Sequence, residues 1–132
     1  MNAPAGQSQL VKGGVATVFV MDMDRAVGFY TEALGFKLTF RAGDHWASID
    51  AGDGFIIGLH PWGEHSPPVG VAGGIQLGFN VTAPIGEVVA SLEAKGVAFP
   101  GGVENDEQGG VKIAFFKDPD GNEHYLCEVS HG

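Results

Sequence analysis

The 132-residue sequence predicts an α+β fold of two tandem βαβββ modules. Their eight strands would form a curved sheet or open barrel around a cavity, with the helices outside. Three observations predict it. The order strand, helix, strand, strand, strand occurs twice. The two copies superpose at fixed offsets. The 22 glycines and 7 prolines fall between short elements, in a chain whose 44% apolar and 10% aromatic content supplies a core.

In the first copy, residues 15–20 (VATVFV) are rich in β-branched side chains and read as a strand. Asp22 and Asp24 offer N-caps to a helix reaching Leu34, and Gly35 suits its C′ position. Ala26, Phe29, Tyr30, Ala33 and Leu34 fall on one helical face. Strands over 36–41, 45–50 and 55–60 follow, punctuated by Ala42-Gly43-Asp44 and Gly52-Asp53-Gly54. A Gly- and Pro-rich linker spans 61–73.

The second copy restarts with a strand over 75–81 and a helix over 84–95, with Pro84 near its first turn and Gly96 past its end. Residues 97–100 start the next strand. Residues 101–110 form an inserted loop around the acidic run 104–107, either a solvated loop or a lid. Strands over 111–117 and 123–129 form the last hairpin, turned by Asp118-Pro119-Asp120-Gly121-Asn122. A shift of 61 pairs Val20 with Val81, Glu32 with Glu93, and Gly35 with Gly96. A shift of 67 pairs Asp53-Gly54 with Asp120-Gly121 and Leu59 with Leu126. The organisation is therefore a tail (1–12) and one domain (13–129), made of modules 13–60 and 74–129 around the linker.

Seven Lys+Arg against sixteen Asp+Glu give a net charge of −9. That argues against nucleic acid or an anionic membrane as partner, since both need basic patches. No apolar run approaches the ~18 residues of a membrane span, and no secretory signal opens the chain, so a cytoplasmic protein is expected. Cys127, the single cysteine, cannot form an intrachain disulfide.

Strand parity sorts the side chains. Val18, Val20, Leu77, Phe79, Ile57, Leu59, His124 and Leu126 turn toward the helices. Thr17, Phe19, Trp46, Ser48, Ile56, His60, Gln76, Asn80, Phe115 and Tyr125 turn the other way. Aromatic walls with a few orienting polar groups compose a small-molecule pocket. The alternative is that these residues fill the barrel themselves.

The paired βαβββ units, residues 20–26 (VMDMDRA), residues 29–36 (FYTEALGF) and residues 118–122 (DPDGN) resemble the vicinal oxygen chelate superfamily. That superfamily holds glyoxalases, extradiol dioxygenases and bleomycin resistance proteins, and the resemblance covers nearly the whole chain. It implies one metal ligand from each of four strands. Those positions here are Val15, Gly58 (or Ile57, one residue away), Gln76 and Tyr125. Val, Gly and Ile carry no donor, Gln is a weak neutral ligand, and Tyr is poor unless ionised. No metal or other cofactor is therefore expected, unless a divalent ion sits at a displaced site near His60, with Glu123 or Cys127. The other histidines are His45, His65, His124 and His131, of which His124 occupies an apolar position and reads as packed.

The resemblance implies a small-molecule binding protein of the glyoxalase/bleomycin-resistance type, without the usual metal site. Tyr125 and Trp46 would stack on a small organic molecule, cationic or aromatic, while Gln76 and Asn80 hydrogen-bond to it. The alternative is an enzyme: a metal-dependent lyase, isomerase or dioxygenase with displaced ligands, or one using His60 and Tyr125 for acid–base catalysis. A homodimer is expected, with modules paired either within one chain or between chains.

Overall fold

A computed structural model describes residues 10, 14–64, 66, 68–70, 75–106 and 110–129. Most of the expected tail, the acidic residue Glu107, and His65 and His131 lie outside them. Module one runs β1 (Ala16–Val20), α1 (Met23–Gly28), β2 (Lys37–Ala42), β3 (Trp46–Asp50) and β4 (Ile56–Pro61). Module two runs β5 (Gly78–Asn80), α2 (Ile85–Glu93), β6 (Val103–Asp106), β7 (Val111–Lys117) and β8 (Glu123–Val129).

Each module forms its own four-stranded mixed sheet, in the orders β1-β4-β3-β2 and β5-β8-β7-β6. In each, the first strand runs parallel to the last and the remaining pairings are antiparallel. The shared topology is the structural form of the sequence repeat. The strands do not close into a barrel.

Asp22 is the N-cap of α1, its carboxylate accepting the Arg25 N–H at 3.0 Å. Asp24, the other cap candidate, lies inside the first turn and binds Arg41 instead. The helix then widens into a π-helical turn over Phe29–Ala33, where Leu34 N donates to the Phe29 carbonyl at 3.1 Å. Within it, Thr31 Oγ1 donates to the Val27 carbonyl at 2.7 Å, a back-bond that competes with the helical ladder.

Two expected boundaries are corrected. Residues 97–100 are not a strand; Val97 and Phe99 enter the core from a turn-and-coil segment after α2. The strand forms later, at β6, inside the stretch read as an inserted loop. Its Val-Glu-Asn-Asp sequence has poor strand propensity, but β6 is an edge strand and takes its conformation from pairing with β7.

One core joins both modules. Val18, Ile49, Ile57 and Leu59 of the first sheet pack on α1, while Phe79, Ala114, Phe116 and Leu126 of the second pack around α2 and the π-helical turn at Phe29 and Tyr30. Phe29 contacts Phe116, and both Phe36 and Phe55 contact Phe79, across the module boundary. The helix-bearing faces of the two sheets therefore meet, and the opposite faces turn away from the core.

Candidate functional site

Six expected pocket residues share the outer face of the first sheet: Thr17, Phe19, Trp46, Ser48, Ile56 and His60. Register sets them in rows. Thr17 pairs with Gly58, which pairs with Ser48, which pairs with Phe40. Phe19 pairs with His60, whose ring meets Phe19 at 5.3 Å and Trp46 at 6.4 Å between centroids, both edge-on. Trp46 Nε1 donates to Ser48 Oγ at 2.7 Å, which fixes the indole's orientation.

The indole lies flat on the neighbouring strand because residue 58 is glycine. A Cβ there would sit 2.5 Å from Trp46 Cζ2, closer than real carbon contacts allow. The same device recurs in the second sheet, where Tyr125 lies over Gly78. A Cβ at 78 would fall 2.5 Å from the Tyr125 Oη. Phe115 pairs with Tyr125, ring centroids 5.9 Å apart. Asn80 pairs with Cys127, which pairs with Ile113. Gln76 Nε2 reaches Glu123 Oε1 at 3.5 Å. Each outer face thus carries an aromatic plate seated on a strand glycine.

The structure does not bring the two sets together within one chain. The space between the sheets holds the shared core, and the outer faces turn away from it. Within one chain His60 and Tyr125 lie on different sheets. His60 is exposed, and its Nδ1 lies 2.8 Å from the Pro61 carbonyl. Sequence parity overlooked Phe40, which stands beside Ser48 and is 59% exposed. A register shift between Leu38 and Phe40 hid it from simple alternation.

A metal does not fit. Val15 and Gly58 offer no donor, the Tyr125 ring is laid over Gly78, and Gln76 is a neutral amide. Among the described residues no three His, Cys, Asp or Glu side chains converge. The displaced alternative, His60 with Glu123 or Cys127, is divided within one chain between the two sheets.

A buried polar cluster links the two modules within the core. Tyr30 Oη donates to Asp118 Oδ2 at 2.8 Å and lies 3.0 Å from His124 Nε2. Leu77 N–H donates to His124 Nδ1 at 3.1 Å, which leaves the ring proton on Nε2. Asp118 also accepts the Asp120 and Asn122 amides and the Asn122 side chain. Burial alone would raise the Asp118 carboxyl, but the hydrogen bonds from His124, Asn122 and Tyr30 hold it below its ordinary value. Burial, then the Asp118 charge, pushes the Tyr30 hydroxyl well above its ordinary value. From the same turn, Asp120 Oδ1 accepts the Met21 N–H at 2.9 Å and Asn122 Oδ1 accepts the Gly70 N–H at 3.1 Å. The 118–122 turn therefore clasps module two to the helix, the β1–α1 junction and the linker.

Fold and residues together define a paired-βαβββ protein. The sequence profile of the glyoxalase/bleomycin resistance protein/dioxygenase superfamily matches residues 13–124, and the chain belongs to that superfamily. Among solved structures it is similar to TnmS3, an antibiotic binding protein from a Streptomyces species. Identity is 28%, coverage is 94% of this chain and 100% of that one, and the TM-score is 0.72. It is also similar to a superfamily member from Sphaerobacter thermophilus (25% identity, 90% and 98% covered, TM-score 0.73). A glyoxalase/bleomycin resistance protein from Catenulispora acidiphila shares the fold (24% identity, 89% and 98% covered, TM-score 0.68). No curated protein matches the sequence.

Proposed function

We propose that this chain is a metal-independent small-molecule binding protein of the cytoplasm. It acts as a homodimer in which the outer face of the first sheet of one copy meets that of the second sheet of the other. A planar aromatic ligand lies between the Trp46 plate and the Tyr125 plate, with Gln76 and Asn80 as hydrogen-bond partners.

The seating of both rings on glycines carries this reading. Rings laid flat on a sheet present a π-face to whatever approaches, the geometry that offset stacking uses. The outer faces also leave large apolar side chains exposed, including Phe40 and Val15 at 59% and 48%. Surfaces of that kind mark binding or subunit contact. Similarity to an antibiotic binding protein supports the same class of function. No helix among the described residues is long and apolar enough to cross a membrane.

Tryptophan fluorescence and thermal shift test the proposal across planar aromatic antibiotics, catechols, aldehydes, acyl-CoAs and glycopeptide antibiotics. Saturable binding of planar aromatics is expected, weakened at least tenfold by either Trp46→Ala or Tyr125→Ala. Absence of any response across the panel would sink it.

A further inference from the structure

We propose a second binding site, for a small aromatic carboxylate, on the seam between the modules. It is separate from the outer faces and does not depend on the function proposed for them. Two adjoining clefts of about 490 and 340 Å³ share Phe29 and Pro119 as common walls. Arg25 and Lys95 line the first, while Lys117 and Val97 line the second.

The charges decide the ligand's sign. The whole chain has seven Lys+Arg against sixteen Asp+Glu, yet three cations from separate elements border this one groove. Arg25 comes from α1, Lys95 follows α2, and Lys117 ends β7. Neither Lys95 nor Lys117 has a carboxylate within 4 Å among the described residues, and Arg25 reaches Asp120 only at 3.9 Å. Two acidic residues also border the groove, Glu32 and Asp118. The Asp118 carboxylate is buried and committed to Tyr30 and to its own turn, so it presents little charge outward.

The walls decide the rest. The second cleft is lined mainly by apolar groups around Phe29, Val97 and Pro119. An aromatic body fits there, with its carboxylate directed to the cations. A π-helical turn forms one wall at Phe29, and such turns recur at functional sites. Because the groove draws residues from both modules, an occupant would brace them against each other.

Titration of the full chain with 1-naphthoate at low salt, followed by amide NMR, tests this. Saturable shifts at Phe29 and Gly96 are expected, weakening as salt rises. The exposed double variant Lys95→Gln/Lys117→Gln should bind at least tenfold more weakly, with its melting temperature unchanged in the absence of probe. Uncharged 1-naphthamide should also bind at least tenfold more weakly. Equal binding of the amide, unchanged binding by the double variant, or shifts confined to the Trp46 and Tyr125 faces would overturn the site. Inorganic phosphate binding as tightly as 1-naphthoate would overturn the aromatic part.

Discussion

Tyr30 and Asp118 stand 88 residues apart and share a fully buried hydrogen bond of 2.8 Å between the two modules. Tyr30→Phe keeps the ring and removes that bond, together with the oxygen facing His124 Nε2. The expected cost is about 1–3 kcal/mol of folding stability, read from urea unfolding, because a buried carboxylate and a buried imidazole each lose a partner. A cost near zero would show that the clasp adds nothing to module docking.

Acid should unfold the protein through the same carboxylate. The folded pKa of Asp118 is lowered, so its stabilisation is present above the unfolded carboxylate value, near 4, and is lost as pH falls through the folded value. Asp120 has the opposite sign. Burial, then the Asp118 charge, raises its pKa against the Met21 N–H, so its contribution is present at low pH and lost as pH rises through the folded value. Asp118→Asn should flatten the stability curve below pH ~4. Asp120→Asn retains an acceptor for Met21 and should not lower stability at neutral pH. The reverse pattern in acid titrations would contradict both assignments.

Substituting the glycines under the aromatic plates should separate binding from folding. Gly58→Ala places a methyl group inside the Trp46 ring. The indole is only partly buried and can lift away, so a stability loss of about 1 kcal/mol is expected rather than collapse. Stacking should suffer more, with tenfold weaker ligand binding and an altered near-UV Trp signal. Gly78→Ala should do the same through Tyr125.

Metal analysis tests the donor argument. Protein purified without added metal should carry far less than one zinc, iron, nickel or manganese per chain. Stoichiometric metal that disappears in His60→Ala would replace the binding-protein reading with a metalloenzyme.

Sedimentation should show a dimer. Placing a carboxylate at an exposed apolar position of the outer face, Phe40→Glu, should shift it toward monomer and reduce ligand binding together. A monomer that binds ligand at full strength would break the link between assembly and site.

Sequence alternation placed the core and the outer faces well, because a strand's two-residue period is local information. Val18, Ile57, Leu59, Leu126 and His124 are buried on the helix side as expected. What escaped was set by distant partners. β6 takes its strand form from β7 despite an acidic sequence, and a register shift carries Phe40 to the outer face. Gly58 looked informative as a missing metal ligand. The structure adds a positive reason for it, since the Trp46 ring occupies the space a side chain would need. The direction each outer face turns is a property of module packing, which no local pattern encodes.

The clasp also bears on how the doubled chain can be taken apart. At the repeat offsets, Tyr30 corresponds to Ser91, Asp118 to Ala51 and His124 to Ile57. No mirror-image clasp exists. One half carries the key and the other the lock. A symmetric pair built from the first half alone would have a tyrosine hydroxyl with nothing to meet it, and one built from the second would bury a carboxylate lacking its donor. Whatever single-unit ancestor paired with itself, these descendants have become strangers to their own kind and fit only each other.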